Sequence, residues 1–232
     1  MPTSTVEDYL KQILLEEEER GEARVPTGRL AQALAVTPGT VTTMVKALSD
    51  GGLVDYEAYG GVRLTPAGRQ LALHVLRRHR LVELFLVQVL GFDWTEVHDE
   101  AERLEHAVSE RVIERIDQML GHPAVDPHGD PIPSAAGEVP AGELAPLAEW
   151  EPGRRCRVAR ISDQEPGFLR RIEGLGLRPG ARLKLLARDL AADALEIELA
   201  SGERIALGLR AAEKILVAPA GAQAREVQRA RQ

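Results

Sequence analysis

Apolar residues recur at helical spacing along the first twenty residues of the chain. Val6, Leu10, Ile13 and Leu14 share one face, and Gly21 ends the run, which predicts a helix over residues 4–20. The acidic run at 16–19 is expected to be a solvated face of this helix. The pattern therefore predicts an amphipathic first helix.

Two shorter helices and a hairpin are predicted next. The shorter helix nearer the N-terminus begins near Thr27, which is a plausible N-cap. The next helix begins after Thr37, with Pro38 at its first helical position, where proline is favourable. The apolar residues of the two helices are Leu30, Ala31 and Leu34, then Val41, Met44, Val45 and Leu48. LVDYEAYGGVRLT alternates apolar and polar residues around a Gly pair, as a β-hairpin does. Together these elements predict a winged helix-turn-helix over residues 1–65.

After residue 65 the predicted structure changes from helices to a proline-rich segment and then to short strands. Helices predicted at about 66–90, 94–107 and 109–120 form a helical segment over 66–121. Residues 122–153 hold many of the chain's 14 prolines and predict a linker that runs over the surface. Short β-type segments and a small helix near 166–174 predict a small barrel over 154–218, before a polar tail at 219–232. The expected fold class is mainly α with small β parts.

Composition narrows the class of protein. A net charge of −7 argues against nonspecific coating of nucleic acid, although a local basic face stays possible in such a chain. The single cysteine, Cys156, excludes an intrachain disulfide and a cysteine-rich zinc site. Neither a signal peptide nor an apolar run of roughly 18 residues is evident. We therefore expect a cytoplasmic protein with no membrane partner.

The second helix of the helix-turn-helix is the expected DNA-reading element. The N-terminal residues of such a helix normally face base edges in the major groove. Residues 27–49 contain Arg29 and Lys46 and no acid. The candidate contacts to double-stranded DNA are Arg29, Thr37, Gly39, Thr40, Thr42, Thr43 and Lys46. The alternative is a helix-turn-helix used only for packing.

The stretch HDEAERLEHAVSE at 98–110 is the candidate metal-binding segment. On a helix, Glu102, Glu105 and His106 would lie at about 40°, −20° and 80° from His98. A solvated acidic face is the alternative, but this arc has no Lys or Arg for i,i+4 pairs. His79 and Glu83, also four residues apart, could add a second wall, whereas His122 and His128 are interpreted as linker residues. Oxygen and imidazole donors without thiolate suit Mn²⁺ or Fe²⁺, and Zn²⁺ would also bind.

Motifs of catalysis are missing from the sequence. There is no H-E-x-x-H motif, Walker motif, dinucleotide-binding motif or Ser-His-Asp arrangement. We therefore expect neither an enzyme nor a small-molecule substrate. A metal-buffering or interaction protein that does not read DNA is the second hypothesis, and a small metallohydrolase is the third.

Several motifs together resemble the diphtheria toxin repressor family of metal-dependent regulators. They are EDYLKQI, RLAQALAVTPGTVTTMVKAL, HRLVELFL, VHDEAERLEH, HPAVDPHGDPIP and GFLRRIEGLGLRPG, which span about residues 5–217. The resemblance implies a winged DNA-binding domain, a helical dimerisation domain and an SH3-like (FeoA-like) barrel. It also implies a homodimer that binds a palindromic operator with Mn²⁺ or Fe²⁺ as co-repressor, and control of metal uptake.

The resemblance also implies metal ligands. One site would use Asp8, Glu102, Glu105 and His106, and a second would use His79, Glu83 and His98 with Glu165 from the barrel. Iron sensors of the family have Met and Cys where Asp8 and Glu102 stand here, so the two carboxylates favour Mn²⁺. Manganese sensors without a barrel have Glu where Lys11 stands, and a protonated lysine cannot ligate a metal. Zn²⁺, Co²⁺, Ni²⁺ and Cd²⁺ are expected to substitute in vitro.

Overall fold

A computed structural model describes residues 3–19, 21, 24–139 and 142–220. It divides into two compact units. Unit 1 comprises Met1–Val82, Glu102–Asp117 and Ile132–Val139, and unit 2 comprises Glu83–Ala101, Gln118–Pro131 and Pro140–Gln232. Most of the predicted polar tail, from residue 221 onward, lies outside the described residues.

Unit 1 contains the predicted winged helix-turn-helix, which is confirmed. Its elements are α1 Ser4–Glu19, α2 Thr27–Ala33, α3 Pro38–Asp50, β1 Val54–Glu57 and β2 Gly61–Leu64. The two strands pair antiparallel, with Val54 opposite Leu64. Aliphatic side chains from α1 and α3, among them Leu10, Ile13, Val41 and Val45, are fully buried in one core. The apolar faces predicted for α1 and α3 are therefore buried.

The acidic run on α1 differs from its prediction. Glu16 and Glu17 are buried, whereas Glu18 and Glu19 are exposed. One carboxylate oxygen of Glu17 accepts the Leu64 N–H at 2.7 Å, and the other contacts Arg69 at 2.6 Å. The expectation of a wholly solvated face was wrong because these two carboxylates have partners supplied by other elements.

Three helices follow the wing. They are α4 Pro66–Gln88, α5 Val97–Leu104 and α6 Glu110–Met119. Each lies within its predicted range, but α5 ends at Leu104, two residues before His106. Glu105 and His106 therefore lie in a turn, and the helical arc predicted from His98 does not extend to them. No described helix is long and apolar enough to cross a membrane.

The proline-rich segment is not a simple surface linker. It contains no α-helix among its described residues, as predicted, but Asp126, His128 and Asp130 are buried. The Asp126 side chain accepts the backbone N–H groups of His128 and Asp130 at 2.8 and 2.9 Å. Gly129 has a φ of +88°, and a Cβ there would lie 2.0 Å from the Ala159 carbonyl oxygen. A tight, internally bonded loop thus holds His128 inside unit 2.

Unit 2 contains the C-terminal SH3-like sheet. Its six strands are β3 Ala145–Pro146, β4 Arg155–Ile161, β5 Arg182–Asp189, β6 Ala194–Leu199, β7 Arg204–Gly208 and β8 Ile215–Pro219, in the order β3-β8-β4-β5-β6-β7. Every neighbouring pair is antiparallel. Two short helices, α7 Pro166–Gly174 and α8 Leu209–Glu213, complete it. Cys156 is a buried core residue of this sheet, and burial raises the pKa of its thiol to about 12.

Candidate metal centre and nucleic-acid interface

The N-terminus of α3 presents the threonines predicted to read DNA. Thr37 is the N-cap and accepts the Thr40 N–H at 3.2 Å. Thr42 and Thr43 donate their hydroxyls to the carbonyls of Pro38 and Gly39 at 2.9 and 3.0 Å. Thr37, Gly39, Thr40 and Thr43 are exposed, and Thr42 is half-buried. The helix start is therefore well formed and open to a ligand.

The two basic residues among the predicted DNA contacts, Arg29 and Lys46, have different environments. The guanidinium of Arg29 donates to Glu16 at 2.8 Å and to Glu19 at 3.0 Å. Lys46 lies further along α3 and is exposed. Arg29 thus ties α2 to α1, which gives it a structural role beside its predicted role in DNA binding.

Asp8, Glu105 and His106 bring three potential metal ligands together in unit 1. The Nε2 atom of His106 lies 2.8 Å from Asp8 Oδ1 and 3.3 Å from Glu105 Oε1. Donor atoms of Asp8, Glu105 and His106 all lie within 4.8 Å of one another, the spacing of a possible metal site. Asp8 comes from α1 of the winged domain, and the other two come from the turn after α5. Burial raises the pKa of Asp8, and the nearby His106 lowers it in part.

The other ring nitrogen of His106 faces a carboxylate that was not predicted. Glu7 Oε2 lies 2.8 Å from His106 Nδ1 and 2.8 Å from an Nη atom of Arg78. A metal-ligating histidine usually donates its second N–H to such a carboxylate. Glu7 therefore favours the tautomer in which Nδ1 carries the proton and Nε2 faces Asp8 and Glu105.

A buried lysine lies on the other side of Glu105. Lys11 Nζ is 2.5 Å from Glu102 Oε1 and 2.7 Å from Glu105 Oε1. Burial opposes the charged ammonium, but Glu105 and Glu102 outweigh it and the pKa of Lys11 is raised. Lys11 therefore stays protonated at neutral pH.

His79 completes this side of the cluster. Its Nδ1 lies 2.6 Å from Glu105 Oε2 and 3.6 Å from Glu102 Oε1. Burial favours the neutral form of Glu105, but the bonds from His79 and Lys11 win, so the pKa of this carboxyl is lowered. Glu105 thus lies at the centre of the unit 1 cluster, and the structure brings His79 to the carboxylates predicted for the first site.

Unit 2 contains a second group of donors. Glu83 Oε1 lies 3.3 Å from His98 Nδ1, and Glu83 Oε2 lies 3.9 Å from His128 Nδ1. Donor atoms of Glu83, Asp126 and His128 lie within 4.8 Å of one another, and all three residues are buried. The structure therefore brings together the predicted pair Glu83 and His98 and adds two residues that were not predicted.

His128 has one ring nitrogen of defined role. Its Nε2 lies 2.8 Å from the Trp94 carbonyl oxygen, which can only accept, so Nε2 carries the proton in the neutral ring. Its Nδ1 then holds a lone pair, is buried, and has no hydrogen-bond partner among the described residues. A lone pair that faces a carboxylate oxygen suits a cation between them.

Glu165 has a different role from the one implied for it. It is the N-cap of α7, and its two oxygens accept the N–H groups of Gly167 and Phe168 at 2.9 and 2.8 Å. These bonds lower the pKa of its carboxyl. Glu165 belongs to none of the groups of three donors found among the described residues. Its role as a ligand stays a prediction.

The donor atoms decide what the two groups could bind. Both consist of carboxylate oxygens and imidazole nitrogens, and neither contains sulfur. Such sets suit Mn²⁺, Fe²⁺ and other divalent first-row ions. Glu105 and Glu83 are 0% exposed, and a buried carboxylate is stabilised by positive charge from a side chain or from a bound ion.

Sequence reasoning missed four residues of these groups: Glu7, Lys11 as a contact, Asp126 and His128. Glu7 precedes Asp8 and Lys11 follows it by one helical turn, so the α1 spacing could have indicated both. The Asp-x-His spacing in DPHGD was the available signal in the linker.

Three family models match consecutive parts of the chain. Residues 1–62 match the N-terminal DNA binding domain of iron dependent repressors, residues 65–134 match their metal binding and dimerisation domain, and residues 145–219 match the FeoA domain. The second range extends past α6 into the proline-rich segment, and the third begins at β3, inside the segment predicted as a linker.

Individual relatives agree. The iron-dependent repressor IdeR of Mycobacterium bovis is 35% identical over 192 residues, covering 77% of this chain and 82% of its own. The regulator MntR of Bacillus pumilus is 40% identical over 120 residues, covering 52% of this chain and 81% of its own. A solved manganese-dependent transcriptional repressor in complex with manganese has 43% identity and a TM-score of 0.82, covering 92% of this chain and 99% of its own. ScaR solved with Cd²⁺ has 33% identity and a TM-score of 0.75, covering 94% of this chain and 100% of its own.

The fold and these matches define a winged-helix transcriptional regulator with the metal binding and dimerisation domain of iron dependent repressors. The chain belongs to the diphtheria toxin repressor family of iron-dependent repressors.

Proposed function

We propose that this chain is a metal-dependent repressor that binds an operator as a homodimer and controls metal uptake. The observation that carries the proposal is the meeting of Asp8 with Glu105 and His106. Asp8 Oδ1 lies 2.8 Å from His106 Nε2, although the two residues are 98 positions apart. This contact joins the first helix of the DNA-binding domain to the turn after α5.

The residues of this contact have separable roles. Asp8, Glu105 and His106 would hold the ion, with Glu102 next to them, and Glu7 would orient the His106 ring. A bound divalent ion supplies positive charge that offsets the repulsion among these carboxylates. The chain's own residues then fix α1, and with it the reading helix, relative to the dimerisation segment. In a dimer, two fixed heads could meet successive major grooves about 34 Å apart.

We favour Mn²⁺ as the physiological ion and keep Fe²⁺ as the alternative. Carboxylate oxygens at Asp8 and Glu102 are hard donors, which suit Mn²⁺. Relatives include both iron-dependent and manganese-dependent repressors, and ScaR was solved with Cd²⁺ and with Zn²⁺. Those softer ions are expected to occupy the site in vitro here as well.

The second donor group would support the same function from unit 2. Glu83 and His98 were predicted as ligands, and Asp126 and His128 join Glu83 in the structure. We propose that these residues hold a second divalent ion. In that arrangement the Trp94 carbonyl orients His128 through Nε2.

The test is binding of the full-length protein to DNA from upstream of its own gene, measured by fluorescence anisotropy. We expect the protein to bind this DNA tightly with Mn²⁺ and to lose that binding when a chelator is added. We expect it to be a dimer with Mn²⁺ and with the chelator. Asp8→Ala should abolish the Mn²⁺ response, whereas Glu18→Ala, an exposed acid on the same helix, should keep it. Tight binding that ignores chelator, or a normal response of Asp8→Ala, would refute the proposal.

A metal-buffering protein that does not read DNA is the competing function. The exposed Thr37, Thr40 and Thr43 at the start of α3 favour the DNA-binding alternative, because buried or blocked positions would be expected for a packing helix. Mn²⁺ binding without any Mn²⁺-dependent shift of the DNA probe would favour the buffer instead.

A further inference from the structure

Lys11 lies where a cation would be expected. It is on α1, one helical turn after Asp8, and only 5% of the residue is exposed. Lysine is almost never buried to this degree unless it is paired. Here the ammonium contacts Glu102 Oε1 at 2.5 Å and Glu105 Oε1 at 2.7 Å.

These two carboxylates belong to a group of donors that could itself hold a metal ion. Donor atoms of His79, Glu102 and Glu105 lie within 4.8 Å of one another. The ammonium of Lys11 contacts two of the three members. The group shares Glu105 with the neighbouring group of Asp8, Glu105 and His106, so the two cation positions are adjacent.

Charge balance separates the two positions. Asp8, Glu102 and Glu105 carry three negative charges when ionised, and Lys11 contributes one positive charge. A single divalent ion neutralises the remainder. A second divalent ion would leave an excess of positive charge and would meet the ammonium at shared oxygens, where like charges repel strongly.

We propose that Lys11 is a tethered cation that fills the second position of this centre, so that the centre takes one divalent ion, at Asp8, Glu105 and His106. The inference rests on the proposed function, because it assumes that this centre binds the co-repressor. Lys11 is thereby a specificity-determining residue: it sets how many ions the centre holds and leaves Glu102 and Glu105 partly neutralised by the chain itself.

The test compares Mn²⁺ binding by wild type, Lys11→Glu and Lys11→Gln, all full-length. Calorimetric titration gives the number of ions per chain, and electron paramagnetic resonance detects magnetic coupling between ions, which a pair about 3.5–4 Å apart would show. Arg182→Glu is the matched control, because it makes the same charge change at an exposed site on β5, away from both donor groups and from the predicted DNA contacts.

We expect Lys11→Glu to bind one more Mn²⁺ per chain than wild type and to show a coupled Mn²⁺ pair. Wild type and Arg182→Glu should show no coupled pair. Lys11→Gln should also admit the extra ion, more weakly, because it removes the ammonium without adding a carboxylate. Thermal unfolding of each variant identifies any that fails to fold, and the other variant then carries the comparison.

Two outcomes would overturn the inference: a coupled pair already present in wild type, or an unchanged Mn²⁺ count in a folded Lys11 variant. Neither outcome touches the proposed function, which is tested separately by the Mn²⁺ dependence of DNA binding in wild type and in Asp8→Ala. The two failures are therefore distinguishable in the same set of proteins.

Discussion

Removal of the Glu7 carboxylate should weaken Mn²⁺ binding although Glu7 is not expected to touch the ion. Its Oε2 lies 2.8 Å from His106 Nδ1 and 2.8 Å from Arg78. The carboxylate fixes the tautomer and the ring plane of His106, and the Arg78 contact fixes the carboxylate. Loss of such a partner of a ligating histidine typically costs 10–100-fold in metal affinity, or roughly 1.4–2.8 kcal/mol.

Two variants separate orientation from charge. Glu7→Ala removes both contacts and should show the full loss, in the range of about 10–100-fold. Glu7→Gln keeps an oxygen that can accept from Nδ1–H but loses the ion pair with Arg78, so its loss should be smaller, below about tenfold. Glu18→Ala, on the same helix and exposed, should leave the affinity unchanged.

The assay is a titration of the full-length protein with Mn²⁺ at one neutral pH, with free Mn²⁺ followed by electron paramagnetic resonance. Thermal unfolding in chelator checks that each variant keeps its fold. An unchanged Mn²⁺ affinity in a folded Glu7→Ala protein would show that Glu7 does not orient the ring, and the assignment of Nε2 as the donor would lose its support.

Three further predictions concern the fold and the DNA surface. Glu17→Ala leaves the Leu64 N–H without its buried acceptor, while the partly exposed Arg69 can be solvated, so the variant should be destabilised by about 1–3 kcal/mol in urea unfolding; a change near that of an ordinary surface site, within about 0.5 kcal/mol, would contradict the role. Burial raises the pKa of the Cys156 thiol to about 12 in the folded protein, whereas the thiol of the unfolded chain has a pKa of about 8.5. The stability that comes from the buried neutral thiol is therefore complete below about pH 8.5 and falls as the pH rises. Relative to Cys156→Ala, wild type should therefore lose stability between about pH 9 and 11, by roughly 1.4 kcal/mol per pH unit; parallel pH curves would refute this. Lys46→Ala should weaken Mn²⁺-dependent DNA binding and lower the slope of log affinity against log salt by about 0.9, if Lys46 contacts a phosphate; an unchanged slope would exclude that contact.

The winged domain could be predicted because its signals are local. The cap at Thr37 and the apolar faces of α1 and α3 are each encoded within a single helix, and the periodicity gives both the helix and its buried face. The N-cap predicted at Thr27 was wrong, because Pro26 is the N-cap of α2 and Thr27 is its first helical residue. Glu17 could not be predicted in the same way. Its partners, Leu64 and Arg69, are 47 and 52 residues away, so nothing near the acidic run indicates that it is buried.

The sequence predicted several of the donors that the structure brings together in unit 1, but only part of their arrangement. The helical arc placed His98 together with Glu102, Glu105 and His106, but α5 ends at Leu104. Glu105 faces Lys11 and His79, which are 94 and 26 residues away, and this environment has no signature in the local sequence. Residue types indicated a cation, whereas tertiary packing decided which donors share it.

The burial of the proline-rich segment could not be predicted from its composition. Proline density correctly excluded an α-helix among its described residues, because proline removes a backbone donor and clashes with the preceding turn. It said nothing about burial. Asp126 accepts the N–H groups of His128 and Asp130, so these two backbone donors are satisfied where the loop enters the interior.

The contacts of Lys11 also constrain how a metal ion could switch the protein. Lys11 joins α1 to Glu102 and Glu105 through its own ammonium rather than through a bound ion. A contact that is equal in the inactive and active states cannot shift their populations, and a shift from 1:99 to 99:1 needs about 5.5 kcal/mol of differential binding. The differential part must then come from donors that Lys11 does not hold, which are Asp8 and His106. Asp8→Asn should therefore reduce the Mn²⁺ response of DNA binding more than it reduces the stability of the metal-free protein. Equal losses in both measurements would mean that Asp8 contributes only to the fold and that the switch lies elsewhere.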